Sequence, residues 1–378
     1  MGPRLSGPAA GRAARWFAAA ALGAAAWPGE ATGQSHAIPL CPGLTIVTAV
    51  NGPEGDYESI KTIASADARG IAVAYSAQVP TGKGSLRNWR MRRVMLREDL
   101  GTATFYAHYF HTNGSDTIPG STTLGVSTAV LRALKRTGAA EITLVEGGNH
   151  AYPADRSTAP NLYDYEETWK LRRVGTEPVR VTVNDAMVAL PAIHARGSYL
   201  GAKVDFWFLD HEENPLTLQY QFASGSDALS EAWNLRAVKI TWRCTGTGRT
   251  EAEERILRLE RALREDRRAV VYDLFFDFNS ERIRPESEPT LREIAEVLRR
   301  NPDWALAVEG HTDAIASDKY NLDLSARRAA AVKAALTSRF AVAGARLTTA
   351  GFGESSPRDR NDTLEGRARN RRVELVRR

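Results

Sequence analysis

Within residues 269–378 the apolar positions switch repeatedly between a period of two and a period of 3.6. That alternation restricts the fold more than any other feature of the chain. Val271 to Phe278 places large apolar side chains at Tyr272, Leu274, Phe276 and Phe278, the spacing of a half-buried strand. Leu291, Ile294, Ala295 and Leu298 then share one face of a helix that Pro302 closes. Trp304 to Val308 reads as the next strand and runs into Glu309-Gly310-His311-Thr312-Asp313. A second helix is expected at Ser325, with Ser325 as N-cap, Leu324 as a staple toward Ala329, and Val332 and Leu336 continuing the stripe. Arg346 to Gly351 and Val373 to Val376 supply further strands, with a short helix before the last. Elements in this order imply a sheet covered by helices on at least one face.

Residues 41–244 follow a different pattern and read as mainly β. Leu216, Leu218, Tyr220 and Phe222 alternate with Thr217, Gln219 and Gln221. Val181 to Val188 predicts a hairpin around Asn184-Asp185, and Val204–Leu209 predicts another with Leu216–Phe222 across the acidic turn Asp210 to Pro215. One helix is expected near Ser127 to Arg136, followed by a strand at Ile142 to Val145. His108 and His111 fall in a segment read as a strand, where their odd spacing sends the rings to opposite faces and argues against a shared metal. No nucleophile elbow, zinc-protease helix or phosphate loop occurs. A transmembrane β-barrel is the rival for this region. Arg90, Arg92 and Arg93 in its best central strand, and Val204–Leu209 apolar on both faces, favour a water-soluble core.

The polar run from Thr245 to Arg268 separates the two regions. Ile256, Leu259 and Leu263 form one narrow apolar stripe in it, which predicts a connecting helix, with a short coiled coil as the alternative. Cys41 and Cys244 flank the β-rich region. Residues 1–33 read as an export signal: Arg4, Arg12 and Arg15 precede the short apolar run from Trp16 to Trp27, and Ala31-Thr32-Gly33 offers a cleavage site. An uncleaved anchor is the alternative. Export places the two cysteines in an oxidising compartment, where they most simply pair; two buried thiols are the other outcome. Ile38-Pro39-Leu40 before Cys41 argues against lipidation. The formal charge of +5 is a mild basic balance and does not by itself indicate nucleic acid.

The motifs of the last region carry a resemblance. Gly310-His311-Thr312-Asp313, Asn321, Leu324-Ser325, Arg328-Ala329 and Val332 are followed by Gly351-Phe352-Gly353-Glu354, Pro357, Asn361, Thr363, Gly366-Arg367-Ala368 and Asn370-Arg371-Arg372-Val373-Glu374. In order and spacing, residues 269–378 resemble the OmpA-like C-terminal domain family. The fold expected is α+β: a β-rich N-terminal domain at 41–244, a linker helix at 245–268, and an OmpA-like α/β sandwich of βαβαβ type at 269–378.

The resemblance implies non-covalent binding of peptidoglycan through the diaminopimelate of its stem peptide. It further implies a protein of the periplasm or the outer-membrane surface, which other envelope proteins could join. No cofactor, metal, catalytic residue or nucleic-acid partner is expected. The free end of diaminopimelate carries an ammonium and a carboxylate on one carbon, so its receptor needs an anion and a cation held close together. Carried over from the family pattern, Asp313 takes the ammonium and Arg328 the carboxylate, with Asn279, Asn321 and Arg371 as further binding positions. An internal Asp313–Arg328 salt bridge, turn-forming roles for the two asparagines, and a surface role for Arg371 are the alternatives. Where the family has glycine after the aspartate, this chain has Ala316. That predicts either a different turn or a weaker site, because a positive φ is costly for alanine.

Overall fold

The computed structural model describes residues 37–52, 55–81, 85–108, 110, 113–145, 166–199, 202–222, 234–242, 244 and 251–378. The export signal read at 1–33, and His111, lie outside the described residues.

The β-rich part opens with an antiparallel meander of β1 (Thr45–Gly52), β2 (Gly55–Ala66), β3 (Gly70–Pro80) and β4 (Leu86–Leu96). A one-turn helix α1 (Asp99–Thr102) leads to the short strands β5 (Phe105–Tyr106), β6 (Gly114–Thr117) and β7 (Ser121–Thr122). Helix α2 (Thr128–Thr137) precedes β8 (Ala139–Val145), the hairpin β9 (Glu166–Val183) and β10 (Ala186–Tyr199), then β11 (Ala202–Leu209), β12 (Thr217–Phe222) and β13 (Asn234–Thr241). Among the described residues these strands form one sheet, ordered β6-β4-β3-β2-β1-β13-β12-β11-β10-β9-β8-β5-β7. β13 also pairs in parallel with β9, so β9 to β13 close on themselves.

Local chemistry accounts for these elements. Asn184 and Asp185 both have positive φ, 44° and 71°, the turn that suits a two-residue hairpin. Ser127 caps α2 by accepting from the Val130 amide, and Gly138 ends it in the left-handed region. Val130, Leu131 and Leu134 of α2 pack with Phe206, Phe208 and Tyr220 on one face of β11, while Trp207 and Leu209 on its other face pack in a second cluster, so β11 is apolar on both faces. The segment of His108 is not a strand; its backbone leaves the ladder after Tyr106 because β5 has only two paired residues, Phe105 and Tyr106. Cys41 and Cys244 form a disulfide with Cα atoms 6.0 Å apart, beside the β1–β13 ladder. Among the described residues of this part, Val174 is the exposed large hydrophobic side chain.

The remaining elements are α3 (Glu251–Glu265), β14 (Arg268–Val271), α4 (Glu288–Arg300), β15 (Leu306–Gly310), α5 (Asp318–Phe340), β16 (Leu347–Gly351), α6 (Leu364–Asn370) and β17 (Val373–Arg377). Their sheet is ordered β14-β17-β15-β16, with β15 and β16 parallel and the other pairs antiparallel. Ile256 and Leu263 of α3 are buried with Leu291, Ile294 and Leu298 of α4, so the connecting helix joins this core. Each such side chain contributes about 1.5–3 kcal/mol when fully buried.

Two expectations are corrected here. The first strand ends at Val271. Residues 272–277 lie outside the sheet, with one bridge from Phe276 to Ile283, and the chain turns at 278–279. Phe275 is buried as well as Leu274, because Val47, Ala49, Ile60 and Val238 of the β-rich part cover the face that an isolated strand would leave in water. The long helix starts at Asp318, capped by Ser317, whose side chain accepts from the Tyr320 amide. Ser325 is therefore inside the helix. Its hydroxyl accepts the Gly353 amide at 2.9 Å and donates to the Leu322 carbonyl.

Candidate functional site: a charged cavity between the two parts of the chain

The sites for Asp313 and Arg328 are set by the close approach of α5 to the sheet. A Cβ on Gly310 would lie 2.2 Å from the Ser325 carbonyl oxygen, so only glycine lets β15 run beneath the helix. The chain leaves β15 through His311 and Thr312 and turns at Asp313, which is 8% exposed. Asn321 of α5 fixes that turn: its amide donates to the carbonyls of Asp313 and Ala316, each at 3.1 Å, and to Glu354 at 2.6 Å. Ala316 is not among the residues of positive φ, so the expected strain is absent; the turn is held by the Asn321 amide instead.

The five residues expected to bind line one cavity of about 180 Å³. Arg371, at the end of α6, is its central cation. It donates to Asp313 Oδ2 at 2.5 Å and to Glu58 Oε1 of β2 at 2.6 Å. Arg328 lies well inside α5 rather than in its first turn. Its Nε donates to the Ser280 carbonyl at 3.0 Å, and its guanidinium lies 5.0 Å from the centre of the Phe276 ring. Asp313 thus pairs with Arg371, and Arg328 is held by carbonyls and an aromatic face. Asn279 is exposed with φ 49°, and its carbonyl accepts from the Tyr320 hydroxyl. The asparagines thereby shape the walls, one by its amide and one by its backbone.

Electrostatics single out Arg328. Burial, and then the neighbouring charge of Arg371, push its pKa down to about 10. Asp313 and Glu58 offset part of that shift, and Arg328 stays charged at neutral pH. Glu58 shows the opposite balance. Burial raises its pKa, but Arg371 and Lys239 outweigh burial and hold it below the ordinary carboxylate range.

A second charged cluster adjoins the cavity through His311. Glu309, His311 and Glu374 are all buried, with potential ligand atoms within 4.8 Å of one another. Glu374 bonds Arg268, Arg358 and Arg372, and Glu309 bonds Arg268. These arginines already neutralise the carboxylates, and burial and Arg372 push His311 down to about 4, so its ring is neutral at pH 7. The arginine-rich end of the chain is paired in the same way: Arg360 with Asp362, Arg367 with Asp56, and Arg369 with Asp359.

Sequence reasoning missed the contribution of the β-rich part. Asp56, Tyr57, Glu58, Gln78 and Lys239 all line the cavity, and nothing in their local pattern distinguishes them from ordinary strand residues.

The fold and the cleft define the C-terminal part as an α/β sandwich bearing a site with both a carboxylate and a guanidinium. More narrowly, it is an OmpA-family domain: the model of the OmpA family matches residues 275–371. Outer membrane porin F of Pseudomonas aeruginosa is 42% identical over 105 residues, which are 28% of this chain and 30% of that protein. Outer membrane protein A of Bordetella avium is 43% identical over 103 residues, 27% of this chain and 53% of that protein. The peptidoglycan-associated lipoprotein of Agrobacterium fabrum is 39% identical over 103 residues, 27% of this chain and 58% of the lipoprotein. The chain therefore spans between 30% and 58% of the length of these relatives. The crystal structure of the peptidoglycan-associated lipoprotein from Burkholderia pseudomallei is 30% identical, covers 28% of this chain and 88% of that one, and has a TM-score of 0.26.

Proposed function

We propose that this chain is an exported cell-envelope protein that holds peptidoglycan non-covalently, acting by binding rather than by catalysis at the periplasmic face of the outer membrane. Its ligand is the diaminopimelate of the stem peptide. Asp313 receives the ammonium and Arg328 the carboxylate, while Asn321, Asn279 and Arg371 fix the geometry. The observation that carries this reading is Arg328, a guanidinium directed into a cavity with carbonyls and an aromatic ring as its neighbours. The OmpA-family match and the similarity to a peptidoglycan-associated lipoprotein support it.

Pull-down on purified diaminopimelate-type sacculi tests the assignment. Asp313→Ala and Arg328→Ala are each expected to lower retention about 30-fold or more, since truncating one partner of a desolvated charge pair costs about 2–5 kcal/mol. Unchanged retention of both variants refutes the site.

A further inference from the structure

We propose that Glu58, on strand β2 of the β-rich part, is a ligand-binding residue of the cavity, giving the ligand's ammonium a second carboxylate beside Asp313. This rests on the diaminopimelate reading above and deepens it.

The geometry comes from Arg371. One terminal nitrogen donates to Asp313 and the other to Glu58, so a single planar fork sets two carboxylates side by side, from residues far apart in sequence. Each carboxylate gives one oxygen to Arg371, and a carboxylate can accept further bonds at its other lone pairs. Among the described residues Arg371 is the hydrogen-bonding partner of the Glu58 side chain.

The charge balance requires such a group. Arg328, Arg371, Arg372, Arg284 and Lys239 line the cavity, and so do Asp56, Glu58, Asp277 and Asp313. Arg284 is paired with Glu286 at 3.4 Å, Arg372 with Glu374, Asp56 with Arg367 and Asp277 with Arg282, which leaves Arg328, Arg371 and Lys239 against Asp313 and Glu58. An ammonium entering opposite Asp313 alone would meet one carboxylate already half neutralised by Arg371. With Glu58 it meets two, and the repulsion from Arg328 and Lys239 is offset. The cavity is also accessible. Phe278, Ile315 and Tyr320 line it and are 39%, 62% and 36% exposed, so they mark a mouth between the 278–279 turn and the start of α5. The β-rich part forms the opposite wall, held by Arg367 to Asp56 at 2.5 Å, Arg284 to Ser76 at 2.6 Å, and the Phe278 amide to Gln78 at 2.6 Å.

Calorimetric titration of the oxidised full chain tests the proposal. The probes are a soluble stem tripeptide ending in diaminopimelate and the same peptide acetylated on the distal amine. Glu58→Gln keeps an acceptor for Arg371 and removes the charge. It is expected to weaken binding of the free-amine peptide about ten-fold, the scale of a charged hydrogen bond, and to leave the acetylated peptide unchanged. Glu365→Gln removes the Arg236–Glu365 pair (3.3 Å) from the same interface outside the cavity, and should bind like the wild type. If Glu58→Gln does not fold, Glu58→Asp should show a smaller loss in the same direction. Equal or tighter binding by Glu58→Gln while Asp313→Ala loses binding overturns this proposal alone, as does an equal loss in Glu365→Gln. Unchanged binding in Asp313→Ala as well removes the reading of the cavity on which it rests.

Discussion

Replacing Cys41 and Cys244 together by serine should destabilise the β-rich part without altering its native pairing. The two cysteines are separated by 203 positions, yet they flank strands already laddered to each other, with Thr45 opposite Thr241. The native state therefore brings the two ends together without the bridge, and the bridge acts mainly on the unfolded chain. For a loop of this length the chain-entropy model gives about 5 kcal/mol, with measured losses of native disulfides at roughly 2–5 kcal/mol. For a unit of this size 1 kcal/mol moves Tm by about 2–4 °C, so the expected drop is roughly 5–20 °C. Differential scanning calorimetry of the oxidised protein, the reduced protein and the double serine variant measures it. The reduced protein and the serine variant should agree with each other. Melting of the serine variant within about 2 °C of the oxidised wild type would refute the entropic reasoning. Two titratable thiols in denatured, unreduced protein would refute the bridge itself.

Two further outcomes are expected. Arg328→Lys should recover only part of the wall binding lost in Arg328→Ala, because a lysine cannot both hold the Ser280 carbonyl and offer a planar fork; a lysine-type wall, lacking the distal carboxylate, should be retained as poorly as by Arg328→Ala, and sacculus pull-downs read both. Asp185, which faces Arg255 at 3.4 Å, has its pKa raised from 3.8 to about 6 by burial. A carboxyl with a raised folded-state pKa binds protons more tightly when folded, so its ionisation removes stability as pH rises through that window. Asp185→Asn should therefore raise Tm at pH 7 and give no advantage near pH 4, as thermal melts at the two pH values will show.

Much of the fold was legible because its signals are local. The Asn184-Asp185 turn, the helix near Ser127 to Arg136 and the α4 stripe each involve neighbours within a few positions, and the structure has all three. The start of α5 was misread for a physical reason. Its first turns carry Lys319, Tyr320 and Leu322 exposed, so the buried stripe begins well after the helix does. The end of the first strand was misread because the residues that bury Phe275 belong to β1, β2 and β13. The proposed binding positions rest on resemblance to a family, and the structure places them around one cavity. The charge of Asp313 or Arg328 says nothing of the partner each one finds.

That last point bears on what the cavity is. Arg371 pairs with residues 58 and 313 positions away in sequence. Arg255 of the connecting helix bonds Asp273 and Glu293 within its own part and faces Asp185 across the interface. Lys239 of β13 donates to the Tyr272 carbonyl. Removing Arg255 or Arg371 from such a set leaves its carboxylate partners charged and desolvated, which costs about 3–5 kcal/mol; Asp185, whose side chain is a third exposed, is a peripheral member. Ala368 and Phe275 are buried against Val47, Ala49, Ile60 and Val238 as one hydrophobic cluster, so the contact is a packed core as well as an ionic seam. A sheet joined to an OmpA-family domain in this way does more than tether it. It supplies one wall of the charged cavity, so the charge and shape of that cavity are properties of both parts of the chain.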